Sequence, residues 1–166
     1  MWAGPKLSSF PGMPSFRPNV ALLLLDGEGR VFIGERAKIE GAWQFPQGGM
    51  DEGESPLEAL HREVWEEIGL PEGSYEVLES RDGYSYEYPP EVKKTKKGNY
   101  DGQTQTYFLC RLKEGAPPIN IEQTPAEFRR YKWLKPQDFE LNWLPAFKRK
   151  VYQRVMQDFF GVALSK

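Results

Sequence analysis

Glu63, Glu66 and Glu67 stand at i, i+3 and i+4 in the run Gly48 to Leu70, GGMDEGESPLEALHREVWEEIGL. On a helix those spacings put all three carboxylates on one face. Like charges held that close repel unless a positive charge sits between them. A hard divalent cation, Mg2+ above all, takes oxygen ligands and supplies that charge. The plainer reading is a solvated face laced by intrahelical salt bridges, and spacing alone does not separate the two.

The element that carries the cluster has clear ends. Ser55 is an N-cap candidate, Pro56 fits the first helical position, and Glu58 completes a capping box. Leu57, Leu60, Val64 and Ile68 follow helical spacing as a core stripe, and Gly69 is the expected stop. The glutamates fall roughly opposite that stripe. Glu58/Arg62 and Arg62/Glu66 are i,i+4 pairs, so Arg62 can hold Glu66 in place.

Other elements frame this helix. Val20 to Leu25 reads as a buried strand, and Arg30 to Gly34 pairs back after the turn Asp26-Gly27-Glu28-Gly29. Ala42 to Phe45 is short, and Gln47 to Glu54 is a glycine-containing structured loop. Tyr75 to Ser80 and Ser85 to Tyr88 read as strands. An exposed connection with four lysines, PPEVKKTKKGNYDG, follows. Gln103 to Leu112 alternates as a central strand, and Phe128 to Leu134 is another. Pro145 to Phe160 is a closing helix with Phe147, Val151, Val155 and Phe159 on one face. Many strands with two helices make one mixed α/β domain over 16–162. A loose arm rich in Gly, Pro and Ser precedes it over 1–15, with Trp2, Phe10 and the adjoining Phe16 as pinning candidates.

The chain has 166 residues and a formal net charge of -2, so it has length for a core and no global attraction to nucleic acid. The single cysteine, Cys110, excludes an internal disulfide framework, and one Cys with one His builds no zinc site. His61 lies toward Trp65 with no catalytic role expected. The longest apolar run, Val20 to Leu25, is too short to span a bilayer, and no secretory signal opens the chain. A soluble cytoplasmic protein is the expectation. Oligomeric state has no signal.

The fixed positions from Gly48 through Glu54, Arg62-Glu63, Val64, Glu66-Glu67 and Gly69 to Leu70 match the Nudix box throughout. The resemblance extends to Phe16-Arg17-Pro18-Asn19-Val20, Trp43 to Gly49, Gly102 to Gln105, Thr124 to Phe128 and Phe147 to Tyr152. These segments look like the bacterial RNA pyrophosphohydrolase branch, which overlaps with dinucleoside polyphosphate hydrolases. The chain departs from that branch at Tyr88-Pro89-Pro90-Glu91 and in its extended arm.

That resemblance implies a Nudix-type α/β/α sandwich with a mixed sheet, and hydrolysis of a phosphoanhydride with Mg2+ or Mn2+, more than one ion with substrate bound. It implies metal contacts from the Gly48 carbonyl and from Glu63, Glu66, Glu67 and Glu127. Glu67 and Glu127 share the role of base, with Glu66 and Arg62 completing the catalytic set. Glu54 is a partner for Arg62 or a ligand in some states. Arg17 is the favoured phosphate contact, with Arg36, Lys38 and Gln47 beside it. Gln103 and Gln105 share a strand face, where they contact phosphate or a base edge or form a buried amide network. Tyr88 and Lys97, in a stretch of tyrosines and lysines, suit stacking and phosphate contact at a nucleotide end. Phe128 either sandwiches a base or packs in the core. The tail helix from Lys148 to Arg154 lines the RNA path or displays a charged side.

The leading expectation is removal of pyrophosphate from 5'-triphosphorylated RNA, leaving a 5' monophosphate. Asymmetric cleavage of diadenosine polyphosphates such as Ap4A is the nearest alternative. A nucleotide- or RNA-binding module without turnover is the alternative of a different class.

Overall fold

The computed structural model describes residues 13–96 and 98–165. Two parallel strands form its centre: β1 (Phe16–Leu25) and, much later in the chain, β6 (Gly102–Leu112), in register from Phe16 opposite Gly102 to Leu25 opposite Arg111. Outward from β1 come β2 (Val31–Arg36) and the two-residue β3 (Trp43–Gln44). β5 (Tyr75–Glu87) flanks β6 on the other side. β4 (Gln47–Gly49) pairs antiparallel with β1, and β7 (Phe128–Leu134) with β2.

A parallel pair buried on both faces needs apolar residues pointing both ways. β1 supplies them by alternation. Val20, Leu22 and Leu24 pack with Leu60, Val64 and Ile68 of helix α1 (Pro56–Ile68). Ala21 and Leu23 pack on the opposite face with Val151, Tyr152, Val155 and Met156 of α3 (Ala146–Phe160). β6 divides likewise, with Phe108 and Cys110 toward α1 and Tyr107 toward α3. Cys110 is buried, and desolvation pushes its thiol up to about 12, so it stays protonated and inert. A mixed sheet between two helical layers is the expected sandwich.

The local reading of α1 holds at both ends. Ser55 and Glu58 form the reciprocal capping box, and Gly69 ends the helix at φ 69°. Leu57 departs from its expected place: it is 42% exposed, and Ala59 fills the buried position instead. The helix phase puts Glu67 among the buried residues of α1, at 5% exposure, so the glutamates do not all lie opposite the core.

Several boundaries differ because strand pairing overrides local composition. Phe16 to Pro18 belong to β1, and Gln47 to Gly49 form a strand because β1 offers them a partner. The two strands expected over 75–88 are one long β5 with register shifts at Val77/Glu79 and Arg81/Tyr84. The lysine-rich connection contains a short helix, α2 (Pro90–Lys93). Trp2, Phe10, Lys97 and most of the N-terminal arm lie outside the described residues. Among the described residues, no helix is long and apolar enough to cross a membrane.

Candidate active site

Arg62 organises the acidic side of α1. Its Nε and Nη2 donate to the two carboxylate oxygens of Glu54 at 2.7 and 2.8 Å, and Nη2 also donates to the Gly49 carbonyl at 2.9 Å. Nη1 donates to Glu63 Oε1 at 2.7 Å and to Glu66 Oε2 at 3.3 Å. Five N–H groups thus meet five protein acceptors, which is the full guanidinium inventory. Arg62 therefore positions the loop and the glutamates, and has no N–H left for substrate. Glu58 is held by its capping role and not by Arg62.

Two glycines make room for charged groups. A Cβ on Gly48 would lie 2.1 Å from the Glu63 carboxyl carbon, and one on Gly49 would lie 2.2 Å from Nη2 of Arg17. The β4–β1 pairing sets this arrangement by holding Val20 opposite Gly48 and Asn19 opposite Gly49. Glu63 and Arg17 thus flank one short strand.

The carboxylates strain against each other. Burial, with Glu66 and Glu127 nearby, raises Glu63 to about 7, although Arg62 pulls the other way. Burial, then Glu63 and Glu127, pushes Glu67 well above the usual carboxylate range. Glu67 Oε1 accepts the Gln47 N–H at 3.1 Å, while Oε2 is buried with no partner. An unpartnered buried carboxylate oxygen is costly unless a proton or a cation meets it.

Among the described residues, no three carboxylate, imidazole or thiol groups converge as a closed metal cage. The donor chemistry nevertheless fits a hard ion: Glu67 offers a vacant oxygen, and the only donor set in this cluster is oxygen. Arg62 neutralises part of Glu63 and Glu66 meanwhile. Glu127, just before β7, anchors the chain by accepting the Ala37 N–H at its carbonyl, 2.9 Å. Its carboxylate is felt by Glu63 and Glu67 on one side and by Lys96 and Lys148 on the other.

A cavity of about 560 Å³ opens beside this cluster. Its lining includes Gln47, whose N–H meets Glu67, together with Arg36, Lys96, Lys148, Tyr88 and Gln103. Arg36, Lys96 and Lys148 make no ion pair with any described carboxylate, and neither does Arg17. Burial first, then Arg36 and Lys96, lowers the Lys148 ammonium to about 8, with Glu127 opposing. Lys96 is lowered by burial, Arg36 and Arg17 together. Cations crowded this way without an ion pair, opposed by Glu127 alone among the causes that act on Lys96 and Lys148, favour an anion beside them.

A NUDIX domain model matches residues 15–155. The chain belongs to the Nudix family. Its Nudix box is the loop and helix just described. It is 46% identical over 149 residues to the RNA pyrophosphohydrolase of Helicobacter pylori (strain G27), covering 87% of this chain and 93% of that protein. It is 44% identical over 160 residues to the RNA pyrophosphohydrolase of Sulfurovum sp. (strain NBC37-1), covering 90% and 96%. Among solved structures, a C. elegans Ap4A hydrolase binary complex aligns with TM-score 0.61 at 17% identity, covering 87% of this chain and 98% of that one. The E. coli dihydroneopterin triphosphate pyrophosphohydrolase aligns with TM-score 0.59 at 16% identity, covering 87% and 96%. These last two share the fold.

Within this Nudix domain some expected contacts stand elsewhere. Phe128 is 2% exposed and its ring lies where a Gly34 side chain would be, so neither ring face is open to a base. Gln105 is 3% exposed and donates to Asn19, which donates to Gln47, a buried amide chain rather than a cavity contact. Gln103 does line the cavity and accepts the Tyr86 hydroxyl at 2.5 Å. Lys38 is exposed in the turn after β2 and does not line the cavity. Lys96 and Lys148 line the cavity and Lys38 does not, while Lys97 lies outside the described residues. Lys148 stands in the Phe147 to Tyr152 segment and Lys96 in the tyrosine-lysine stretch, but packing of α3 and the β5–β6 connection is what brings the two into one cavity.

Proposed function

We propose that this Nudix hydrolase removes pyrophosphate from the 5' end of triphosphorylated RNA with Mg2+, Mn2+ serving in its place. The observation that carries this reading is the junction of the acidic α1 face with a cavity lined by the unpaired cations Arg36, Lys96 and Lys148. One side suits a metal, the other a polyphosphate, and Tyr88 and Phe147 offer aromatic surface for a base. The similarity to RNA pyrophosphohydrolases supports the choice of RNA.

Glu63, Glu66, Glu67 and Glu127, with the Gly48 carbonyl, would hold the divalent ions. Those ions supply charge neutralisation at phosphate oxygens and a lowered pKa for water. Arg17, Arg36, Lys96 and Lys148 bind the phosphates and favour the charge that builds on the leaving pyrophosphate. Gln47 and Gln103 orient the chain at the cavity wall. A water oxygen bonds to phosphorus, the bridging P–O bond breaks, and the bridging oxygen leaves with pyrophosphate. Glu67 or Glu127 takes the water proton. Arg62 keeps Glu63 and Glu66 aligned throughout.

The test uses pure protein with Mg2+ on matched 5'-triphosphate and 5'-monophosphate RNAs. Pyrophosphate, or phosphate released in steps, and monophosphorylated RNA are expected from the first only. No release from the triphosphate form overturns the proposal. A far higher kcat/KM on Ap4A reassigns the substrate, and binding without turnover on either makes the chain a binding module.

A further inference from the structure

We infer that Asp101 is a positioning residue that ties the N-terminal edge of β1 to the lysine-bearing connection, and so sets the phosphate grip of Lys96. The inference rests on the polyphosphate reading of the cavity.

Asp101 makes four contacts to three residues. Its Oδ2 accepts the Ser15 N–H at 2.8 Å, and its own N–H donates to the Ser15 carbonyl at 2.6 Å. Its carbonyl accepts the Tyr88 N–H at 2.7 Å. Its Oδ1 pairs with the Lys93 ammonium at the end of α2. Directly after it, Gly102 opens the parallel register opposite Phe16. No side chain fits at Gly102, because a Cβ there would lie 1.9 Å from the Tyr86 carbonyl oxygen. Asp101 therefore sits at a fixed point of the sheet.

Each tie leads to the cavity. Ser15 is two residues before Arg17, whose guanidinium lies over Gly49. Tyr88 is a cavity wall. Lys93 is three residues before Lys96, whose ammonium stands 5.6 Å from the Tyr88 ring centre and lines the same cavity. Lys96 has no ion pair with a described carboxylate, and the Tyr88 ring is the partner its ammonium meets beside Arg36 and Lys148. A connection of this length without such a tie samples many conformations, and ordering it on binding costs affinity. The Lys93 pair and the Ser15 amide also hold Asp101 below the usual carboxylate range, so the tie persists through neutral pH.

A double-mutant cycle tests this. KM is measured on a 5'-triphosphorylated RNA for wild type, D101A, K96A and the pair, with thermal melts as a fold control. The Kd of inorganic tripolyphosphate is measured in parallel, without turnover. D101A is expected to raise KM and Kd about fivefold with kcat within about twofold. In the K96A background it is expected to change neither by more than about twofold. D101N, which keeps an oxygen for Ser15 but loses the charge for Lys93, gives an intermediate rise and serves the cycle if D101A does not fold. An unchanged KM and Kd, an equal rise with and without Lys96, or a parallel fall in kcat overturns the inference. Wild-type protein that binds tripolyphosphate but releases nothing from RNA overturns the RNA reading alone.

Discussion

The Arg17 guanidinium occupies the space above Gly49 where any side chain would begin, with Nη2 only 2.2 Å from a Cβ placed there. The cation proposed to grip phosphate and the strand that leads to the acidic helix thus share one small volume. A flexible side chain yields more cheaply than backbone, so a methyl at Gly49 moves Arg17 and leaves the fold.

Gly49→Ala is accordingly expected to keep the melting temperature within about 2–4 °C of wild type, a change of about 1 kcal/mol. It raises KM for triphosphorylated RNA about tenfold through the displaced cation. Gly48→Ala meets the Glu63 carboxylate at 2.1 Å instead, and is expected to lower kcat and weaken Mg2+ activation. Steady-state kinetics with Mg2+ titration separates the two; the same defect in both variants would contradict the assignment.

Glu67→Gln probes the buried carboxylate by stability. Glu67 binds its proton more tightly in the native state than in the unfolded chain, whose value is near 4.5. Its penalty is therefore absent below that pH and grows as pH rises toward the raised native value. Without divalent ions, the variant is expected to gain about 2 °C or more on wild type at pH 8 relative to pH 4.5. Added Mg2+ raises the wild-type melting temperature more than that of the variant. Melts with EDTA and with Mg2+ at both pH values check this, and a pH-independent difference would falsify it.

Arg62→Lys tests positioning without touching substrate. Lysine keeps the charge but cannot meet five acceptors in a planar fork. Glu63 and Glu66 lose their alignment, and kcat is expected to fall about a hundredfold while KM changes little. A large KM effect with normal kcat would instead put Arg62 on the substrate.

Lys148 carries a pH signature. Its ammonium, lowered to about 8 among Arg36 and Lys96 with Glu127 opposing, loses its proton as pH rises through that value. The kcat/KM of wild type on triphosphorylated RNA is expected to fall above about pH 8, because this profile reports the free enzyme. Lys148→Arg keeps its charge and flattens the fall, whereas Lys148→Met lowers kcat/KM about tenfold or more at pH 7. Identical alkaline limbs in wild type and the arginine variant would remove Lys148 from the phosphate grip.

What the sequence by itself determined is local. The capping box at Ser55, the stop at Gly69 and the spacing of Glu63, Glu66 and Glu67 are consequences of helix period and backbone chemistry within a few residues. The Gly48 to Leu70 pattern could be read as a Nudix box before any coordinates. The alternation in β1 and β6 exposed the sheet for the same reason. Only the tertiary structure decided which cations face the carboxylates. Lys148 arrives on α3 and Lys96 on the connection between β5 and β6, and their local sequence does not show that the two ammonium groups line one cavity. It also decided that Glu67 is buried while Leu57 is exposed, and that Phe128 and Gln105 serve the interior. Burial depends on what packs against a residue, and those partners lie tens of residues away in the chain.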